Sequence, residues 1–133
     1  MRKFITRLIP DVHYETFMFR LGIVLYLAVI VLGSIPGARA DMDEVASGFV
    51  LHFSTYAVIA FLLACGLRGG ALRKTAAAFL IIAAMGALDE CLQAFLPYRT
   101  AALTDWLVDI GAGLFGGLLC TWASGADAAP ARN

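Results

Sequence analysis

Four carboxylates, Asp89, Glu90, Asp105 and Asp109, stand with Gln93 and Arg99 inside or beside stretches that are otherwise apolar enough to cross a membrane. A charged side chain at the bilayer centre costs roughly 2.5–3.5 kcal/mol or more unless it faces a polar interior, so such groups are functional candidates by default. His52 and Tyr56 are an i,i+4 pair, as are Asp89 with Gln93 and Asp105 with Asp109, and each pair can occupy one helix face. Three polar stripes at similar depth can then build one site.

The charge balance limits what that site can be. Four acids face one fixed cation, Arg99, and one histidine. Either some carboxylates hold protons, or His52 is protonated, or a cation or polar ligand completes the balance. Mixed protonation suits general acid-base chemistry, for which Glu90, Asp105 and His52 are the catalytic candidates. Arg99, Gln93, Tyr56, Asp89 and Asp109 are candidates for ligand binding. An arginine fork beside Pro97 and Tyr98 can grip phosphate or carboxylate; equally, it can pair with Asp105. A static lock between helices would use the same residues, so catalysis itself stays open.

Metal binding ranks below these readings. There is no ligand signature such as H-E-x-x-H, and one histidine is few for a zinc site. No metal ligand is assigned and no cofactor is implied. Ser54 and Thr55 lie off the His52 stripe and read as packing groups, so no Ser-His-Asp triad is assigned. His13 falls far from the cluster.

The elements that must position these residues follow from composition. The chain has 133 residues, 61% hydrophobic and only 15% charged, well beyond the roughly 45–50% apolar content of soluble domains. Membrane spans of about 20 residues leave room for four helices and short loops. They are expected at about 18–36, 48–67, 75–97 and 103–123, as a single all-α integral membrane bundle covering 1–133. The net charge is zero with no basic block, which excludes a nucleic-acid surface. Cys65, Cys91 and Cys120 lack metal or disulfide spacing and read as core filler.

Basic residues favour the cytoplasmic side. Eight of the ten lie in the N-terminal segment, the loop between spans two and three, or the tail, leaving only Arg39 and Arg99 opposite. Both termini are therefore expected in the cytoplasm and the acidic cluster in the outer half. Residues 1–19 suit an interfacial segment or, equally, a plain disordered leader, and Arg20 a snorkelling anchor. A rival reading makes the first span a signal peptide cleaved after Ala38-Arg39-Ala40. Gly113 and Gly117 form a GxxxG pair that permits close helix approach.

The ordered set His52-Phe-Ser-Thr-Tyr56, then Asp89-Glu90-Cys-Leu-Gln93-Ala-Phe-Leu-Pro97-Tyr-Arg99, then Asp105-Trp-Leu-Val-Asp109-Ile-Gly111-Ala-Gly113-Leu-Phe-Gly116 resembles the VanZ-like family of small bacterial membrane proteins. That resemblance implies a four-helix protein of the bacterial inner membrane, with His52, Tyr56, Glu90, Gln93, Arg99, Asp105 and Gly116 at the family's characteristic positions. It also implies a link to tolerance of the glycopeptide teicoplanin. Two departures make this site more acidic than the family pattern: Phe49 stands in the stretch where a basic residue is usual, and Asp109 where asparagine is common. The expected partners are membrane lipids, with a lipid-linked envelope precursor or a membrane protein partner beyond them. The competing reading is a non-catalytic helper subunit whose polar cluster fixes helix packing and whose glycine-rich fourth span docks on a partner. A proton pathway ranks last, because the opposite halves of the spans carry no acids to complete it.

Overall fold

A computed structural model describes residues 11–37 and 47–126. The basic residues Arg2, Lys3, Arg7, Arg39 and Arg132, the acids Asp41, Asp43 and Glu44, and the Ala38–Ala40 segment lie outside the described residues. Within them are four helices: α1 (Asp11–Gly33), α2 (Gly48–Gly66), α3 (Ala71–Ala94) and α4 (Leu103–Ala126). Each is long and apolar enough to span a membrane, and the described residues include no strand. The protein is thus an all-helical, multi-pass membrane protein.

Local sequence sets the helix ends. Ser47 caps α2, its hydroxyl accepting from the Val50 amide at 3.5 Å. The chain leaves α2 through Gly69, whose φ of +123° a side chain would resist. Pro97 has no amide hydrogen and disfavours helical backbone at the residue before it, and α3 stops at Ala94. Asp105 lies in the first turn of α4, where a negative charge complements the helix dipole.

Two spans start earlier than expected. The interfacial segment anticipated up to residue 19 is, from Asp11 onward, already part of α1. Likewise α3 begins at Ala71 and takes Arg73 and Lys74 into its first turn. The reason is the same for both: hydropathy marks the apolar centre of a span, whereas the helix runs on because its backbone satisfies itself internally.

Successive helices run antiparallel. At one end Arg68 Nε donates to Glu15 Oε2 at 2.7 Å, joining the α2–α3 loop to α1. At the other end Arg99 Nη1 donates to the Gly33 carbonyl at 2.8 Å, and the Tyr98 hydroxyl donates to the Ser34 carbonyl. The α3–α4 loop therefore straps the last carbonyls of α1, which have no partner within the helix. Helix α4 packs against α2 and α3, and α1 leans on α2.

The core is built from Tyr26, Tyr56, Ile59, Ala60, Leu63, Ile82 and Ala112. A smaller cluster of Ala64, Ala78 and Cys120 lies towards the Arg68 end. There Cys65 and Cys120 form a disulfide with Cα atoms 5.9 Å apart, within the usual range. This corrects the reading of all three cysteines as unpaired core filler. Spacing along the chain gives no sign of it, because the pairing depends on which two helix ends meet. Cys91 is free and exposed.

Glycines make the α2–α4 and α3–α4 contacts close. A Cβ on Gly116 would overlap the Ala57 carbonyl oxygen and come within 2.7 Å of the Ala60 methyl. One on Gly113 would lie 2.9 Å from Ile82 Cβ, and one on Gly117 3.1 Å from Thr75 Cα. The GxxxG pair is therefore consumed inside the bundle, against α3. It does not form the outward docking face expected of a helper subunit.

Gly116→Leu should separate α2 from α4 and cost about 1–3 kcal/mol or more, as overpacking does. Gly111, whose Cβ would meet nothing within 4 Å, should accept leucine. Thermal unfolding of the two detergent-solubilised variants, read beside wild type, checks this. Equal midpoints would refute the packing argument.

Candidate functional site

Helix α2 sets His52 and Tyr56 one turn apart, both buried, with their rings stacked at a centroid separation of 6.1 Å. Helix α3 contributes buried Asp89, Glu90 and Gln93. From α4 comes Asp109, fully buried, while Asp105 one turn earlier keeps 29% of its side chain exposed. The three stripes anticipated from spacing thus converge between α2, α3 and α4.

The contacts within the cluster are specific. His52 Nδ1 lies 3.0 Å from Asp109 Oδ1, and His52 Nε2 lies 3.6 Å from Asp105 Oδ2. The imidazole is therefore held between two carboxylates of one helix. Tyr56 donates its hydroxyl proton to Asp89 Oδ2 at 3.0 Å, tying α2 to α3. Glu90 Oε2 accepts from the Ala102 amide at 2.6 Å, which fixes the chain as it enters α4. Gln93 is buried one turn beyond Asp89.

Arg99 is half-buried in the loop at the same end of the bundle. Its Nη1 donates to the Gly33 carbonyl, while Asp105 turns to His52. The alternative in which Arg99 pairs with Asp105 is thereby replaced: the loop directs the guanidinium towards the end of α1.

Several supporting residues escaped the reading of spacing. A Cβ on Gly86 would lie 2.8 Å from Asp109 Oδ2, so the missing side chain on α3 makes room for the buried carboxylate. Trp106 Nε1 donates to the Ala83 carbonyl at 2.8 Å and pins the first turns of α4 to α3. Tyr26 donates to the Met85 carbonyl at 3.0 Å and meets Tyr56 edge-on at 6.5 Å, bringing α1 to the flank of the cluster. The hydroxyl and indole donors were legible in principle, since Tyr and Trp inside a bundle need acceptors. Gly86 carried no such signal.

Two carboxylate oxygens, Glu90 Oε1 and Asp109 Oδ2, are buried without a hydrogen-bond partner among the described residues. Leaving a buried acceptor unpaired costs about 1–3 kcal/mol, and more for a charged group. Ligand atoms of His52, Glu90 and Asp109 all lie within 4.8 Å of one another. Chemically, the cluster can accept protons, hydrogen-bond a polar ligand or hold a cation.

Residues 6–124 match the family model described as VanZ/LLP1, which spans all four helices and every site residue above. Comparisons with curated proteins and with solved structures return no match.

Tyr56→Phe removes one hydroxyl and leaves Asp89 Oδ2 without this donor in a buried position, so a loss of about 1–3 kcal/mol is expected. Phe53→Leu, altering a partly buried side chain beside the same core, should cost less. Unfolding midpoints in detergent decide the order, and a Tyr56→Phe protein as stable as wild type would mean that the Asp89 contact contributes nothing.

Proposed function

This chain belongs to the VanZ/LLP1 family, and on that basis we propose that it acts in the bacterial inner membrane, binding or modifying a cell-surface or lipid-linked envelope molecule. The polar cluster is the site, and teicoplanin tolerance is the phenotype. With both termini cytoplasmic, as the basic residues favour, the cluster faces the outer half of the bilayer. Envelope precursors are presented there.

The observation that carries this reading is the pair of buried, unpartnered carboxylate oxygens on Glu90 and Asp109, beside a histidine held by two acids. A cluster built only to lock helices would satisfy its acceptors, because each unpaired one works against the fold. In this reading Arg99 holds an anionic group with the donors not used on Gly33. Glu90 and Asp105 transfer protons or hydrogen-bond the ligand, and His52, Tyr56, Gln93, Asp89 and Asp109 orient them. Asp105, the most accessible member of the His52 group, stands where a ligand would first meet it.

One observation favours a second reading, that of a helper protein whose cluster fixes packing. The His52–Asp109 and Tyr56–Asp89 bonds each join two helices. Both readings use those bonds, but only the first needs Arg99 and the unpartnered oxygen of Glu90.

Wild type, Glu90→Gln and Arg99→Ala, produced in a sensitive bacterium at matched membrane levels, should differ in teicoplanin susceptibility. Protection by wild type alone, with the variants about ten-fold or more susceptible, is the expected result. Equal protection by all three would favour the packing role; protection by none would sever the antibiotic link.

A further inference from the structure

We infer that His52, Glu90 and Asp109 form a binding site for a divalent metal ion of the Mn2+ or Zn2+ class. Their ligand atoms come from three separate helices and lie within 4.8 Å of one another. Bonds of roughly 2.0–2.2 Å place ligand atoms at most about 4.4 Å apart across an ion. Three ligand atoms sharing one ion sit about 3–4 Å from one another, so a closing movement of roughly 1 Å would complete the set.

Clustering alone would not carry this. The second observation is that Glu90 Oε1 and Asp109 Oδ2 are both buried and without a hydrogen-bond partner among the described residues. Glu90 is 9% exposed and Asp109 0%, so bulk water does not solvate them. Each carboxylate uses its other oxygen structurally, Glu90 on the Ala102 amide and Asp109 on His52. The free oxygens are thus spare ligands on groups whose orientation is already fixed.

The histidine is prepared in the same way. A carboxylate lies at each ring nitrogen, Asp109 at Nδ1 and Asp105 at Nε2. An ion shared by Nδ1 and Asp109 would take the place of the present His52–Asp109 bond and leave Nε2 facing Asp105 Oδ2, 3.6 Å away, an outer carboxylate of the kind that supports a metal-bound imidazole. Gly86 also fits this account, since any side chain there would press on Asp109 Oδ2. One imidazole with hard carboxylate oxygens suits Mn2+ first and Zn2+, which usually takes more nitrogen or sulfur ligands, second, and does not suit a thiolate-seeking ion such as Cu(I).

Charge favours a dication over a single proton. Among the described residues, Asp89, Glu90, Asp105 and Asp109 outnumber the positive groups at this end, and Arg99 is turned to Gly33. An ion would also let an acid-rich site receive an anionic group, which deepens the envelope-ligand reading and uses the same residues. Its test involves neither the antibiotic nor any envelope molecule, so the two stand or fall separately.

The untagged full-length protein, in detergent and stripped with a chelator, is titrated with Mn2+ while free Mn2+ is followed by electron paramagnetic resonance. One Mn2+ per chain is expected, with an imidazole nitrogen coupling in the pulsed spectrum. Glu90→Gln and Asp109→Asn should each weaken binding at least about ten-fold. Glu15→Gln, which removes one acid at the opposite end, should bind as wild type does. Zn2+ should compete. Absence of stoichiometric uptake by wild type, or bound Mn2+ lacking nitrogen coupling, overturns the inference without reference to any variant. So does equal weakening by Glu15→Gln.

Discussion

The contact on which the rest of this bundle depends is that between His52 and Asp109, 3.0 Å apart across the α2–α4 interface and both buried. In an apolar surrounding, hydrophobic contacts barely distinguish one register of two helices from the next, since lipid is as apolar as the partner. A buried polar pair does distinguish them, because any slip strands two polar groups. Gly116 lets the two backbones approach, and Gly86 leaves room for the Asp109 carboxylate on its far side. The close packing and the polar cluster are therefore one construction seen from two sides.

Much of this was legible in the chain. Four apolar runs of spanning length gave the four helices, and i,i+4 spacing placed His52 with Tyr56, Asp89 with Gln93 and Asp105 with Asp109 on common faces. What the spacing could not supply was the identity of facing partners. That Tyr56 meets Asp89 while His52 takes both acids of α4 depends on helix rotation about the bundle. The Cys65–Cys120 disulfide and the inward use of Gly113 and Gly117 escaped for the same reason. Helix ends were missed differently: Arg73, Lys74 and Glu15 break the apolar pattern without breaking the backbone hydrogen bonds that define the helix.

The polar bonds divide into two kinds. Tyr56 to Asp89, Trp106 to Ala83 and Tyr26 to Met85 pair each donor with one acceptor and hold neighbouring helices together. The bonds of Glu90 and Asp109 leave half of each carboxylate over. Deleting a partner of the first kind removes a crosslink. Changing Glu90 to the neutral amide keeps the shape and alters what the free oxygen can hold, whereas the same change at Asp109 also touches the His52 contact that sets helix register.

The α3–α4 loop links the cluster to the end of α1. Glu90 anchors its last residue, Ala102, while Tyr98 and Arg99 reach across to Ser34 and Gly33. The loop is therefore tied at both sides, to α3 through Glu90 and to the end of α1 through Tyr98 and Arg99. Arg99 donates to a backbone carbonyl, a neutral acceptor that is exchanged for an anion at less cost than a carboxylate partner would be, because charge-assisted bonds are about twice as strong as neutral ones. An arginine already paired with Asp105 would have to give up an ion pair before it gripped a phosphate or carboxylate. By capping α1 instead, Arg99 spends Nη1 on a neutral carbonyl, and Asp105 is left to face His52.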